Sequence, residues 1–131
     1  MKKLTMAFIA MLAILTSCKK DADKQPDGNN NTSRVVRYEL TGNFTGRITA
    51  AYTTAAGGTT NDEVTSLPWS KEITYASNVT AAALALSGGG GVAGQKVIVI
   101  RKRGGQQIGT PTEITAQSNG GFSEAAPVIV F

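Results

Sequence analysis

The side chains that could do chemistry in this 131-residue chain are few and scattered. There is a single thiol, Cys18, and no histidine. A serine or cysteine nucleophile would therefore lack its commonest base, and a zinc site its commonest ligands. Asp62-Glu63 is the only pair of adjacent carboxylates. Calcium takes about six or more oxygens, so two neighbours in a polar loop read as solvated charges. An enzyme would have to assemble carboxylates from distant segments, such as Glu72 with Glu113 or Glu124, and shift their pKa values. Gly89, Gly91 and Gly94 satisfy G-x-G-x-x-G, but phosphate binding needs a helix opening at the last glycine. Gln95 and a strand-forming run follow instead, so Ser87 to Gly94 reads as a mobile loop. The expectation is a chain with no enzymatic activity, no cofactor and no metal.

Cys18 is left as the residue with a specific chemistry. Lys2 and Lys3 form a positive start, Leu4 to Leu15 are largely apolar, and Leu15-Thr16-Ser17-Cys18 is followed by Lys19 and Lys20. An apolar run of about a dozen residues is too short to span a bilayer as a helix, but it fits an export leader. The arrangement resembles the lipobox of bacterial lipoproteins. The resemblance implies removal of residues 1–17 and acylation of Cys18, and hence attachment to a membrane through the N-terminal lipid. A lone cysteine agrees with this, because no intrachain disulfide can form.

Residues 18–33 begin with the lipidated cysteine and continue as Lys-Lys-Asp-Ala-Asp-Lys-Gln-Pro-Asp-Gly-Asn-Asn-Asn-Thr-Ser, without one large apolar side chain. Such a segment cannot offset its ordering entropy by burial, and it reads as a flexible tether. By analogy with lipoproteins of diderm bacteria, lysine rather than aspartate at the second position after the cysteine implies the outer membrane. The charged mixture after Cys18 also resembles the surface-export signals of Bacteroidetes-type lipoproteins, which leaves the domain facing either the periplasm or the surface.

Residues 34–131 make one domain of ordinary size. Its eight cations exceed its six carboxylates only slightly, and part of the formal charge of +4 belongs to the leader and tether. A domain neither strongly basic nor rich in clustered aromatics is not expected to bind nucleic acid. Local patterns are those of strands. Val36, Tyr38 and Leu40 alternate with polar residues, as do Ile48, Ala50 and Tyr52 with their neighbours, and Gly42-Asn43 and Gly46 between these runs suggest a hairpin. Trp69, Ile73 and Tyr75 share one face of a third strand, and Val79 to Ser87 forms a fourth. Val97 to Ile100 reads as a strand buried on both faces or central in a sandwich. Arg103-Gly104-Gly105-Gln106 reads as a tight turn, Glu113 to Gln117 as a strand, Ser118 to Gly121 as a turn and Ala126 to Phe131 as the last strand. Seven or eight short strands without an amphipathic helix predict an all-β, immunoglobulin-like antiparallel β-sandwich.

Val35 to Leu40, Ile48 to Tyr52 and Leu67-Pro68-Trp69-Ser70-Lys71, in that order and spacing, resemble the extracytoplasmic domain of the small mycobacterial membrane proteins called MmpS. The Leu-Pro-Trp-Ser sequence after the polar Asn61-Asp62-Glu63 loop is the sharpest match, and Val97 to Gly105 is looser. The resemblance implies a β-sandwich that assists an RND-type transporter. The chain departs from that family in carrying a lipoprotein leader rather than a transmembrane helix, and in lacking its paired cysteines.

Candidate contact residues are Trp69 and the run Arg101, Lys102 and Arg103. Trp69 reads either as a core anchor or as an exposed aromatic for sugar, lipid or protein. The basic run reads either as a solvated hairpin tip that blocks aggregation or as an anion contact for lipid headgroups or an acidic partner. Two functions follow as expectations: an accessory or binding component of an envelope complex, or a surface module for glycan, lipid or host protein.

Overall fold

The computed structural model describes residues 32–131; the leader, Cys18 and most of the tether lie outside them. Eleven strands run in the order β1 (Val35–Gly42), β2 (Arg47–Thr53), β3 (Thr59–Val64), β4 (Trp69–Thr74), β5 (Ala81–Ala82), β6 (Leu84–Gly89), β7 (Lys96–Arg103), β8 (Gln106–Gln107), β9 (Thr112–Thr115), β10 (Phe122–Ala125) and β11 (Ile129–Val130). Eight of these have four or more residues, and β5, β8 and β11 have two. The described residues form an all-β antiparallel sandwich. One sheet has the order β4-β1-β7, with β8 and β9 both paired to β7, and the other has the order β10-β6-β2-β3. The pair β11-β5 forms a small third sheet.

Alternation sets the faces. Val36, Tyr38 and Leu40 of β1 point inward, as do Val97 and Val99 of β7, and they meet Ile48, Ala50 and Tyr52 of β2 and Leu84 and Leu86 of β6 in one core. Every one of these is at most 5% exposed, so the period-two pattern in the sequence is a burial pattern. The outward residues Ile98 and Ile100 are only partly covered, so β7 is central in its sheet without being buried on both faces.

Several local expectations are corrected. Residues 43–46 do not close a hairpin, because β1 and β2 belong to different sheets and the segment crosses between them. Among successive longer strands, only β2–β3 and β7–β9 stay within a sheet. The supposed loop Asn61-Asp62-Glu63 is the middle of β3, whose polar residues suit an edge strand paired on one side only. The run from Val79 to Ser87 breaks at Ala83 into β5 and β6, and the Ala83 amide donates to Thr53 Oγ1 at 3.0 Å. At the end of the chain Phe122–Ala125 pairs with β6 as a separate strand, and only Ile129–Val130 of the expected final strand pairs, with β5.

The sandwich has two ends. The entry end, where residue 34 joins β1, carries the turn after β2, residues 75–83, the β7–β8 turn and residues 126–131. The far end carries residues 43–46, 65–68, 90–95 and 116–121.

Candidate functional site

At the entry end the tight turn is as read from the sequence. Arg103 pairs with Gln106, and Gly104 and Gly105 between them have φ of 58° and 82°. Two consecutive positive φ values make the hairpin turn that matches strand twist, and glycine takes them without strain. The residues before the turn are not a solvated tip, however. Because β7 alternates, Arg101 and Arg103 fall on the inward face with Val97 and Val99, and each is 8% exposed. Arg103 donates from Nε to the Ser33 carbonyl at 2.6 Å and from Nη1 to the Val130 carbonyl at 3.2 Å. Arg101 donates to the Pro127 carbonyl at 3.0 Å. Arg34 donates to the Val79 and Ser77 carbonyls. The guanidiniums of Arg34 and Arg103 lie 4.7 and 4.9 Å from the centre of the Phe131 ring, and Tyr75 packs against the same ring. These arginines tie residues 127–131 down to the start of β1.

Only Lys102 of the basic run faces outward. It pairs with Glu39 at 2.9 Å, and Arg37 pairs with the same carboxylate at 3.0 Å. Hydrogen bonding from Lys102, with a further contribution from Arg37, holds the Glu39 carboxyl below its ordinary range against the opposing effect of burial.

On the open side of the sandwich, edge strands β3 and β4 are bridged by polar side chains. Tyr52 donates its hydroxyl to Asp62 Oδ2 at 2.8 Å, and Lys71 reaches the same oxygen at 3.3 Å. The Tyr52 hydroxyl first, and Lys71 after it, hold the Asp62 carboxyl below its usual range. Glu63, the next residue, turns to the other face and meets Arg47 at 3.4 Å, so the adjacent carboxylates are separated by the strand pleat. Deeper in the core Tyr75 donates to the Thr53 carbonyl at 2.8 Å and lies beside the buried hydroxyl of Tyr38, which makes no well-formed hydrogen bond among the described residues. Burial first, and the neighbouring Tyr75 second, push the Tyr38 phenol far above the ordinary tyrosine range.

The far end is packed through glycine. The end of β6 and the run after it are fitted against two rings: a side chain on Gly91 would overlap Phe44, and one on Gly88, within β6, would overlap Phe122. Those rings meet edge to face at 5.0 Å. The Gly91 amide donates to the Gly120 carbonyl at 3.0 Å, and Gln95 Oε1 accepts from the backbone amides of Thr45 and Val92 and from the Thr45 hydroxyl. Of residues 87–94, expected as a mobile loop, 87–89 are the end of β6; Gly88 and Gly91 are fitted against the rings, side chains on Gly89, Gly90 and Gly94 would meet open space, and β7 rather than a helix follows.

Three clefts surround the segment Thr65–Ser70 at this end. One of about 580 Å³ is lined by Thr45, Gly46, Arg47, Glu63, Val64, Thr65, Gly89 and Gly90. A second, of about 240 Å³, shares Thr45, Gly46, Val64 and Thr65 with it and adds an apolar floor of Phe44, Ile48 and Leu67. The third, of about 290 Å³, lies across the segment, where Pro68, Trp69 and Ser70 face Arg37, Glu39, Leu40 and Thr41. Trp69 is partly buried: it packs against the core and also lines this cleft. Hydroxyls, a paired charge and an apolar floor in a cleft of a few hundred Å³ are the makings of a binding site.

Trp69 and Arg103 are not brought together. Trp69 lies opposite Leu40 and Arg103 opposite Val36, four residues of β1 apart, roughly 13 Å. Nor are the distant glutamates. Glu72 and Glu113 stand on strands with β1 and β7 between them, and Glu124 belongs to the other sheet. No group of three or more histidine, cysteine, aspartate or glutamate side chains that could hold a metal occurs among the described residues. The Thr45–Arg47 and Glu63–Thr65 walls of the first of these clefts carry no signal in the sequence, because they are ordinary strand-end residues that only the pairing of β2 with β3 and β6 places side by side.

No protein-family profile, curated protein or solved structure matches this chain.

Proposed function

We propose that this chain is a lipid-anchored lipoprotein of the cell envelope, most consistent with an outer-membrane location, whose β-sandwich is a non-enzymatic binding component of an envelope complex. The observation that carries the binding role is the position of the clefts: three converge on Thr65–Ser70, at the end away from where the chain enters the domain, against one, of about 320 Å³, beside Thr54, Thr60 and Lys71–Thr74. A tether attached at one end leaves the opposite end free to meet a partner. The MmpS resemblance suggests an RND-type transporter as that partner. A surface module for glycan, lipid or host protein is the second reading, and the cleft beside Trp69, with polar groups facing an indole, favours it.

Cross-linking in intact cells, followed by immunoprecipitation and identification of what is recovered, tests both. Recovery of transporter subunits that is lost on Trp69→Ala supports the accessory reading. Reproducible recovery of nothing, with the domain open to external protease on whole cells, refutes that reading and favours the surface module.

A further inference from the structure

We propose that the entry end of the sandwich is a docking face for an anionic lipid surface. This face would seat on the leaflet that carries the anchor, and in that respect the proposal rests on the acylation of Cys18.

Charge is the first observation. Of the eight cationic side chains between residues 34 and 131, five stand in ion pairs: Arg37, Arg47, Lys71, Lys96 and Lys102. Arg34, Arg101 and Arg103 pair with no carboxylate among the described residues, and all three gather at the entry end, on backbone carbonyls and the Phe131 ring. A carbonyl oxygen satisfies a guanidinium's hydrogen bonding but leaves its unit charge uncancelled, so the field extends into solvent. Residues 53–59, 75–83, 104–111 and 126–131, which form this end, contain no aspartate or glutamate. The far end is balanced by the pairs Arg47 with Glu63 and Lys96 with Glu113.

The second observation is apolar. Val128 and Val130 are 54% and 70% exposed beside those arginines, and only one other large aliphatic among the described residues, Val92 at the far end, is comparably open. Cationic charge with protruding aliphatic groups suits the headgroup region of a bilayer, where each nearby basic residue adds to attraction and apolar side chains enter the acyl boundary.

The third is connectivity. The chain outside the described residues joins here, and Cys18 precedes Arg34 by sixteen positions, a reach of at most about 55 Å. An anchor that close keeps the face at high effective concentration beside the lipid. A lipid surface is thereby favoured over an acidic protein, which the anchor would not concentrate.

The test uses the full-length lipidated protein in phosphatidylcholine vesicles with and without phosphatidylglycerol. An environment-sensitive fluorophore is placed through Val130→Cys or, as the comparison, Val92→Cys, and quenched by a spin-labelled lipid. The expected result is quenching several-fold stronger at position 130 than at 92, present with the anionic lipid and lost in high salt. With the probe at 128, Val130→Glu, which changes an exposed side chain and spares the core, lowers the contact about fivefold, as does Arg34→Gln. Equal quenching at both positions, or quenching at 130 indifferent to lipid charge and salt, overturns the proposal. So does protection of position 130 that needs an acidic protein rather than lipid. Flotation of the same preparation reads the anchor separately. If the chain does not float, the face is read from salt-dependent co-sedimentation of Cys18→Ser protein with anionic vesicles, and absence of that binding overturns it.

Discussion

The two ends of the sandwich are closed by opposite means. At the far end glycines are pressed against Phe44 and Phe122, so the cap is held by shape. At the entry end Arg101 and Arg103 hold the last residues by hydrogen bonds to the Pro127 and Val130 carbonyls, and the guanidiniums of Arg34 and Arg103 lie over the Phe131 ring. Packing of rings on glycine leaves no polar group to satisfy, and three clefts open where the loops diverge around Thr65–Ser70, while another of about 320 Å³ lies nearer the entry end between Tyr52, Thr54, Thr60, Lys71 and Ile73. Arginine clamping leaves charge unbalanced and spends the side chains inwardly. The lesson is that a basic run at a hairpin cannot be taken as a free surface until the strand phase is known.

The largest expected effect breaks the shape-held end. Phe122→Ala removes a buried ring from its edge contact with Phe44 and leaves a cavity, and it should cost about 3–5 kcal/mol in denaturant unfolding. A cost under about 1 kcal/mol would show that the cap contributes little to the fold.

The charge-held end should yield less. Arg103→Ala leaves the Ser33 and Val130 carbonyls without their donor, and a loss of about 2 kcal/mol is expected, with hydrogen exchange rising first in residues 127–131. Arg103→Lys should not restore protection there, because an ammonium cannot reproduce the planar fork that serves two carbonyls and a ring. Full rescue by lysine would mean that charge, not geometry, holds the strap.

The sequence shows these two ends unequally. The core of β1 and β2 was legible because Val36, Tyr38, Leu40, Ile48 and Ala50 repeat at period two, whereas β7 was legible as a strand but not in its phase, since Val97 to Ile100 is apolar at every position. The inward phase of Arg101 and Arg103 follows from that of Val97, and it was hidden also by the ordinary preference of arginine for solvent. Sheet membership was not legible: Gly42 to Gly46 looks the same whether it turns within a sheet or crosses to another. β3 was missed because an edge strand can be as polar as a loop. The clefts depend on neighbours from β2, β3 and β6, and no local motif announces them.

A subtler comparison contrasts the paired carboxylate at the β3–β4 edge with the buried phenol in the core. Asp62 titrates below its ordinary value of 3.8 in the folded chain, so its contribution to stability is complete above that value and lost as pH falls through the lower folded one. Acid titration of unfolding should show this loss, and Asp62→Asn should flatten it; an unchanged acid limb would mean the bridge is not formed. Tyr38→Phe removes a buried hydroxyl that makes no well-formed hydrogen bond among the described residues, so stability should stay level or rise by about 1 kcal/mol. A loss of more than that would reveal a hidden hydrogen bond.

The most direct measurement of the proposed binding role is site-specific photo-cross-linking in living cells. A photoreactive amino acid is placed at Ser66, on the cleft segment, and, for contrast, at Asn78 on the entry end; both side chains are exposed. A single reproducible protein or glycan adduct at 66, absent at 78, is the predicted result. Adducts of equal yield at both positions, or at 78 alone, would contradict a partner site at the far end.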